Sequence, residues 1–268
     1  MRPARAIVIR TYVFDLDGVI YRGDEPQPSA VETVHRLRSA GKQVYFLTNN
    51  STQTRLMYAH KLTRMGIPTD PAFVMTSSCA TALWFVENDA VGSSAYVVGE
   101  VGVSEELDGV DVRVVEGTAG ERADFVVVGM DRGFTYEKLR VAQQAILNGA
   151  RLIATNRDPT FPLEGGVLYP GGGSLVSAIE TAAGVEALLI GKPMTYSLER
   201  ILALSGTPPE EAMMIGDRLD TDVMVGNRAG VHTVLVLGGI TSREQAEEAT
   251  GEQKPEMVIE RLSELVSS

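Results

Sequence analysis

The sequence predicts an α/β protein: a doubly wound parallel sheet interrupted by a second, inserted α/β unit. Three observations carry that expectation. Short β-branched apolar runs alternate with stretches of helical periodicity, the order that builds parallel crossovers. Four of these runs, ending at Phe14, Leu47, Ile190 and Ile215, stop at once in polar residues. The opening pattern breaks off and resumes from Ala187, so the intervening stretch reads as an insertion with junctions near Cys79 and Gly184. Residues 1–79 and 184–268 are then the core, and residues 80–183 the inserted domain.

The elements follow in order. Ile7 to Phe14 reads as a fully buried strand, ending in Asp15-Leu16-Asp17-Gly18. Gly18 to Pro28 is rich in turn residues and suits a small flap. Ser29-Ala30-Val31-Glu32 has capping-box spacing for a helix that Gly41 stops. Val44 to Leu47 is the second strand, ending in Thr48-Asn49-Asn50-Ser51, and Thr54 to Met65 the next helix. In the insertion, a helix at Ala80–Glu87 precedes strands at 95–98, 112–115 and 125–128, a helix over 135–147 and a strand at 151–154. Gly171-Gly172-Gly173-Ser174 lacks the lysine of a nucleotide-binding loop, so flexible attachment or close backbone approach explains its glycines better. Gly99-Glu100-Val101-Gly102 reads as a tight turn. The core then resumes with strand 188–190 ending in Gly191-Lys192-Pro193, a helix over 195–204, and strand 212–215 ending in Gly216-Asp217. Asp220 is placed to cap the following helix with Asp222 in its first turn; strand 233–237 and a strand–helix pair complete the sheet.

Composition narrows the function. With 44% apolar and 22% charged residues the chain has the make-up of a globular protein, long enough for one large or two modest domains. A net charge of −11 argues against nucleic acid or an anionic membrane as the main partner, but not against an anionic substrate held with a cation. The single cysteine, Cys79, excludes an intrachain disulfide and reads as a small buried residue. No apolar run reaches transmembrane length, and no signal-peptide pattern opens the chain, so a cytoplasmic location is expected. Trp84, Met213 and Met214 read as core, His60 as a surface or satisfied residue of its helix, and Glu244–Glu252 as a solvated helix face.

In an open α/β sheet, ligands bind beyond the carboxyl ends of the strands. The residues delivered there are Asp15 and Asp17, Thr48 and Asn49, Lys192, then Asp217 and Asp222. Carboxylates, a hydroxyl, an amide and a lysine at one edge suit a phosphate held with Mg²⁺, a hard cation that prefers oxygen ligands. Two unit charges 4 Å apart interact by about 4 kcal/mol at an effective dielectric of 20, so an anionic nucleophile needs the cation and the lysine to approach a phosphate. Singly, each residue has a plainer reading: Asp17 and Asp222 as caps, Asn49 as a turn former, Lys192 as a loop charge. Four strand ends at once are hard to explain that way.

Asp15-Leu16-Asp17-Gly18-Val19, Thr48-Asn49, Gly191-Lys192-Pro193 and Gly216-Asp217-x-x-x-Thr221-Asp222 resemble the four motifs of the haloacid dehalogenase (HAD) phosphohydrolases. Asp131 to Leu139, Ala154 to Asp158 and Tyr169 to Ser174 resemble cap segments of the type IIA subfamily, which includes NagD-like and p-nitrophenyl phosphatases. The resemblance implies a Rossmann-like core with an inserted α/β cap domain. It also implies roles. Asp15 is the nucleophile that becomes an aspartyl phosphate, and Asp17 the acid and base. Thr48 and Asn49 hydrogen-bond the phosphoryl oxygens or Asp15, Lys192 holds both by charge, and Asn50 is a further phosphate-binding residue. Mg²⁺ takes carboxylate oxygens of Asp15 and Asp217 and the main-chain carbonyl of Asp17, with Asp222 either a ligand or an orienting neighbour. Asn156, Asp158 and Phe161 are candidates to face the substrate, although Asn156-Arg157-Asp158-Pro159 also reads as a plain turn. Phe161 stands where pyridoxal phosphate phosphatases tend to carry histidine, which disfavours that substrate.

The expected function is a Mg²⁺-dependent phosphatase of small phosphorylated metabolites, with neither nucleic acid nor membrane as partner. The resemblance also implies a homodimer through the cap. A phosphotransferase or mutase on the same core is the rival enzyme, and a non-catalytic phosphometabolite-binding regulator the rival of another class.

Overall fold

The computed structural model describes residues 8–162 and 168–266, which divide into two compact units. The first contains residues up to Leu47, Ala59–Val74 and Thr195 onward; the second contains Thr48–Tyr58 and Met75–Met194.

The first unit is built on a six-stranded sheet. Its strand order is Met257–Ile259, His232–Val236, Ala212–Gly216, Thr11–Phe14, Gln43–Thr48 and Val74–Thr76. The four strands from His232–Val236 to Gln43–Thr48 pair parallel, and Met257–Ile259 joins them parallel at the edge. Val13, Phe14, Ile215 and Leu235 are fully buried, as a sheet covered on both faces requires. Each such side chain removed from water contributes about 1.5–3 kcal/mol before ordering costs. The first strand is shorter than the apolar run suggests; Ile7 lies outside the described residues.

Local chemistry departs from expectation at several ends. Helix Ala30–Ser39 buries Ala30, Thr33, Val34 and Leu37, one stripe at helical spacing. Its N-cap Ser29 has φ 63°, and its hydroxyl donates to the Pro28 carbonyl, so the capping box read from Ser29 and Glu32 does not form. A capping box forms instead at Ser242 and Gln245, at the start of helix Arg243–Glu248, within the stretch expected to be a solvated helix face. Asp220 does not cap; it pairs with Arg218 at 2.9 Å at the mouth of a π-helical turn, Leu219–Val223. Past the last strand the chain makes only a 3-10 turn, Leu262–Val266, rather than a full helix. The expected flap is a two-stranded hairpin, Tyr21–Arg22 with Glu25–Pro26.

The second unit has its own parallel sheet, in the order Leu188–Leu189, Arg151–Ala154, Phe125–Val128, Ser94–Val98 and Arg113–Val115. The strand before Lys192, expected to resume the first sheet, is instead the edge of this one, because Leu188 and Leu189 pair with Ile153 and Ala154. Val126, Val128, Val141, Ala145, Val176 and Ile179 form its core between sheet and helices. Trp84 is buried edge-on against Phe85, at 5.6 Å between ring centres. Two helices went unread in the sequence: Val101–Asp108, opening at what looked like a turn, and Gly172–Ala183. The second begins inside the glycine run because a Cβ at Gly171 or Gly173 would lie 2.3 Å from the carbonyl of Asp158 or Arg157. Close backbone approach is therefore what those glycines allow. Among the described residues, no helix is long and apolar enough to cross a membrane.

Candidate active site

Strand pairing explains why the first unit gathers acids. Thr11–Phe14 and Ala212–Gly216 run parallel with Phe14 opposite Ile215, and the Asp15 N–H donates to the Ile215 carbonyl at 2.8 Å. Both strands thus end at the same level, and Asp15 and Asp217 emerge at the same carboxyl edge, where α/β sheets hold ligands. Asp222 reaches the same place from the π-helical turn. Carboxylate oxygens of Asp15, Asp217 and Asp222 lie within 4.8 Å of one another, and all three residues are buried.

Backbone donors hold two of these acids. Asp222 Oδ2 accepts from the N–H groups of Asp217 (3.2 Å) and Arg218 (3.1 Å), which fixes the turn after the strand. Asp217 Oδ2 accepts from the Ile240 N–H at 3.0 Å, while its own carbonyl accepts from the Thr241 N–H at 3.2 Å. Glycines make room for this. A Cβ on Gly216 would sit 2.1 Å from the Asp222 Cβ, and one on Gly239 2.1 Å from Asp217 Oδ2. Gly18, at φ +92°, faces Asp217 in the same way, with a Cβ 2.4 Å from Oδ2. Sequence reading missed the Gly239–Thr241 clamp; the Gly238-Gly239 pair directly after a strand was its one visible signal.

Three buried carboxylates in so small a space repel one another, and an oxygen-only set of this kind fits a hard divalent cation. The Asp17 carboxylate is not part of the cluster. It is half-buried and follows Asp15 into a turn in which the Gly18 N–H donates to the Tyr21 carbonyl at 2.9 Å.

The second unit assembles the remaining candidates. Asn49, Asn156 and Lys192 are buried together there. Asn49 Nδ2 donates to the Lys192 carbonyl (3.0 Å) and to Asp158 Oδ1 (3.1 Å), and Asn49 Oδ1 accepts from the Lys192 N–H at 2.8 Å. The Asn49 carbonyl accepts from Ser77 Oγ (2.7 Å) and Asn156 Nδ2 (2.9 Å), and Asn156 Oδ1 accepts from the Asp158 N–H at 3.2 Å. Thr48 Oγ1 accepts from the Asn50 N–H at 3.0 Å, and Asn50 Oδ1 accepts from the N–H and hydroxyl of Thr52. Phe161 lies in a short hairpin, half-buried.

Comparison with known proteins identifies the family. Residues 12–113 match the haloacid dehalogenase-like hydrolase family, and residues 189–265 a HAD-hydrolase-like family. A 5'-nucleotidase of Bacillus subtilis, YutF, is 40% identical over 255 residues, covering 95% of this chain and 96% of its own. The structure of a 4-nitrophenylphosphatase from Thermotoga maritima superposes with a TM-score of 0.89 at 33% identity, covering 97% of each chain. That of a glycerol phosphate phosphatase from Mycobacterium tuberculosis, in complex with magnesium, gives 0.88 at 32% identity, covering 96% of this chain and 76% of that one. The chain belongs to the haloacid dehalogenase-like hydrolases, in the type IIA branch of NagD-like and p-nitrophenyl phosphatase-like enzymes, and is a phosphoric monoester hydrolase.

Proposed function

We propose that this enzyme hydrolyses small phosphate monoesters with Mg²⁺ through a phosphoryl group carried on Asp15. The observation that carries this reading is the trio of buried carboxylates at the end of two neighbouring parallel strands. Asp15 attacks phosphorus; its O–P bond forms as the ester P–O bond breaks, and Asp17 gives its proton to the leaving oxygen. Asp17 then takes a proton from water, which attacks the same phosphorus, releasing phosphate and restoring both aspartates. Asp15, Asp217 and Asp222 would hold Mg²⁺, with the Asp17 carbonyl as a further oxygen, and the bound cation would offset negative charge building on the phosphoryl oxygens.

In the same reading Thr48 and Lys192 hold the phosphoryl group. Asn50, whose oxygen already serves Thr52, offers only its NH₂ group. Residues 80–183 are the inserted cap domain and residues 1–79 and 184–268 the core, with Asp158 and Phe161 the cap residues to test for substrate contact. Asn156 is occupied in shaping that loop. A 5'-nucleotidase, a 4-nitrophenylphosphatase and a glycerol phosphate phosphatase among the relatives support nucleoside monophosphates, aryl phosphates and polyol phosphates as the substrates to try.

The test is a panel of sugar phosphates, nucleoside monophosphates, phosphoglycolate, glycerol phosphate and p-nitrophenyl phosphate, each with Mg²⁺ and with EDTA. Inorganic phosphate released from several of them, only with the cation, is expected. An isomerised sugar phosphate in place of inorganic phosphate would overturn the reading in favour of a mutase.

A further inference from the structure

We propose that Asn49 is a positioning residue for Lys192, its side chain gripping the N–H and C=O of that lysine instead of binding the phosphoryl group. The inference rests on the role given to Lys192 above and adds the residue that aims it.

An asparagine side chain carries two N–H donors and one acceptor oxygen. Both donors of Asn49 are spent, one on the Lys192 carbonyl at 3.0 Å and one on Asp158 Oδ1 at 3.1 Å. Its oxygen takes the Lys192 N–H at 2.8 Å. The opposite amide orientation would set oxygen against two acceptors and nitrogen against a donor, so the network fixes which atom is which. A phosphoryl oxygen needs a donor, and the Asn49 side chain has none left to give. What it does have is a reciprocal pair of hydrogen bonds to one residue's N–H and C=O, the pattern by which one strand holds another.

The neighbours preserve that grip. Gly191, just before the lysine, has no Cβ; one there would lie 2.7 Å from Asn49 Oδ1 and 2.3 Å from the Thr155 carbonyl. The Asn49 backbone is itself held by Ser77 Oγ and Asn156 Nδ2, and Asn49, Asn156 and Lys192 are all at least nine-tenths buried. A lysine has a flexible four-carbon stem and a point charge, so its ammonium can be aimed only by fixing where the stem begins. Asn49 does this. Through Asp158 it also ties the lysine to the loop proposed to face the substrate.

A double-mutant cycle of Asn49→Ala and Lys192→Ala tests this, read as kcat for p-nitrophenyl phosphate and as the inhibition constant of inorganic phosphate, with melting curves to establish folding. Misplacing a reacting group by about 1 Å can cost on the order of 10²-fold, and Asn49→Ala is expected to lower kcat by roughly that factor. In the Lys192→Ala background the same change is expected to cost less than about twofold in either readout, because the residue it serves is gone. Losses that multiply would overturn the proposal and make Asn49 an independent phosphate ligand, leaving the phosphatase reading intact. Wild-type kcat in Asn49→Ala would also overturn it. Undiminished activity in Lys192→Ala would remove the lysine from the site, and with it the role given to Asn49. If Asn49→Ala does not fold, Asn49→Ser, which keeps a polar group among the buried carbonyls but is too short for either Lys192 contact, enters the same cycle.

Discussion

Replacing Asp217 by asparagine should make the cation-free enzyme more stable, not less. The carboxylate oxygens of Asp15, Asp217 and Asp222 lie within 4.8 Å of one another. At an effective dielectric of 20, each ionised pair at that distance costs at least about 3.5 kcal/mol. Asp217→Asn removes two of the three pairs, so about 7 kcal/mol or more of bare repulsion disappears. The amide keeps an oxygen to accept the Ile240 N–H and nearly the same volume, so little packing is lost. The N–H groups of Ile240, Asp217 and Arg218 already soften the repulsion, so the net gain is far smaller. Even about 1 kcal/mol would raise the melting midpoint by roughly 2–4 °C in EDTA. Mg²⁺ at about 100 times its dissociation constant should then stabilise the wild type by about 2.7 kcal/mol and the variant by much less, reversing their order. Thermal melts of both proteins in EDTA and in saturating Mg²⁺ are the assay. A variant that melts below the wild type in EDTA and keeps the full Mg²⁺ shift would mean that the three carboxylates neither repel one another nor hold the cation through Asp217.

Two further outcomes follow from the same geometry. Gly239→Ala places a Cβ where Asp217 Oδ2 now lies, and should weaken Mn²⁺ binding by about tenfold or more in a calorimetric titration without unfolding the protein; unchanged affinity would deny that the Gly239–Thr241 turn sets Asp217. Burial, reinforced by the Glu106 charge and opposed by Arg55, pushes the Cys79 thiol up to about 12. A pKa raised on folding gives stability that is whole below the unfolded thiol's value near ~8.5 and is lost as pH rises from there toward the folded value. Cys79→Ser should flatten that alkaline decline in denaturant titrations, and native Cys79 should resist a disulfide reagent at pH 8 that labels it at once in urea.

What the sequence made legible was whatever rested on a local rule. The strands showed because β-branched runs end in polar residues, and the acid cluster showed because parallel strands in one sheet finish at one edge. Ser29 and Glu32 had the spacing of a capping box, yet the chain enters that helix through a left-handed Ser29, whose hydroxyl turns to Pro28. The helix Gly172–Ala183 was hidden because glycine argues against a helix start, whereas here it admits the backbone of Arg157 and Asp158. The partners of Asn49, at Asp158 and Lys192, lie 109 and 143 residues away, beyond any pattern of spacing. Its position after a strand marked it as a site residue without revealing what it holds.

The proposed reaction requires Asp15 to carry the phosphoryl group. Mixing enzyme, Mg²⁺ and excess substrate, quenching in acid within one turnover and digesting the protein should give a peptide containing Asp15 heavier by one phosphoryl group, with no such peptide from Asp15→Asn. A wild-type turnover rate in Asp15→Asn, or the same phosphorylated peptide mapped to another residue, would contradict it.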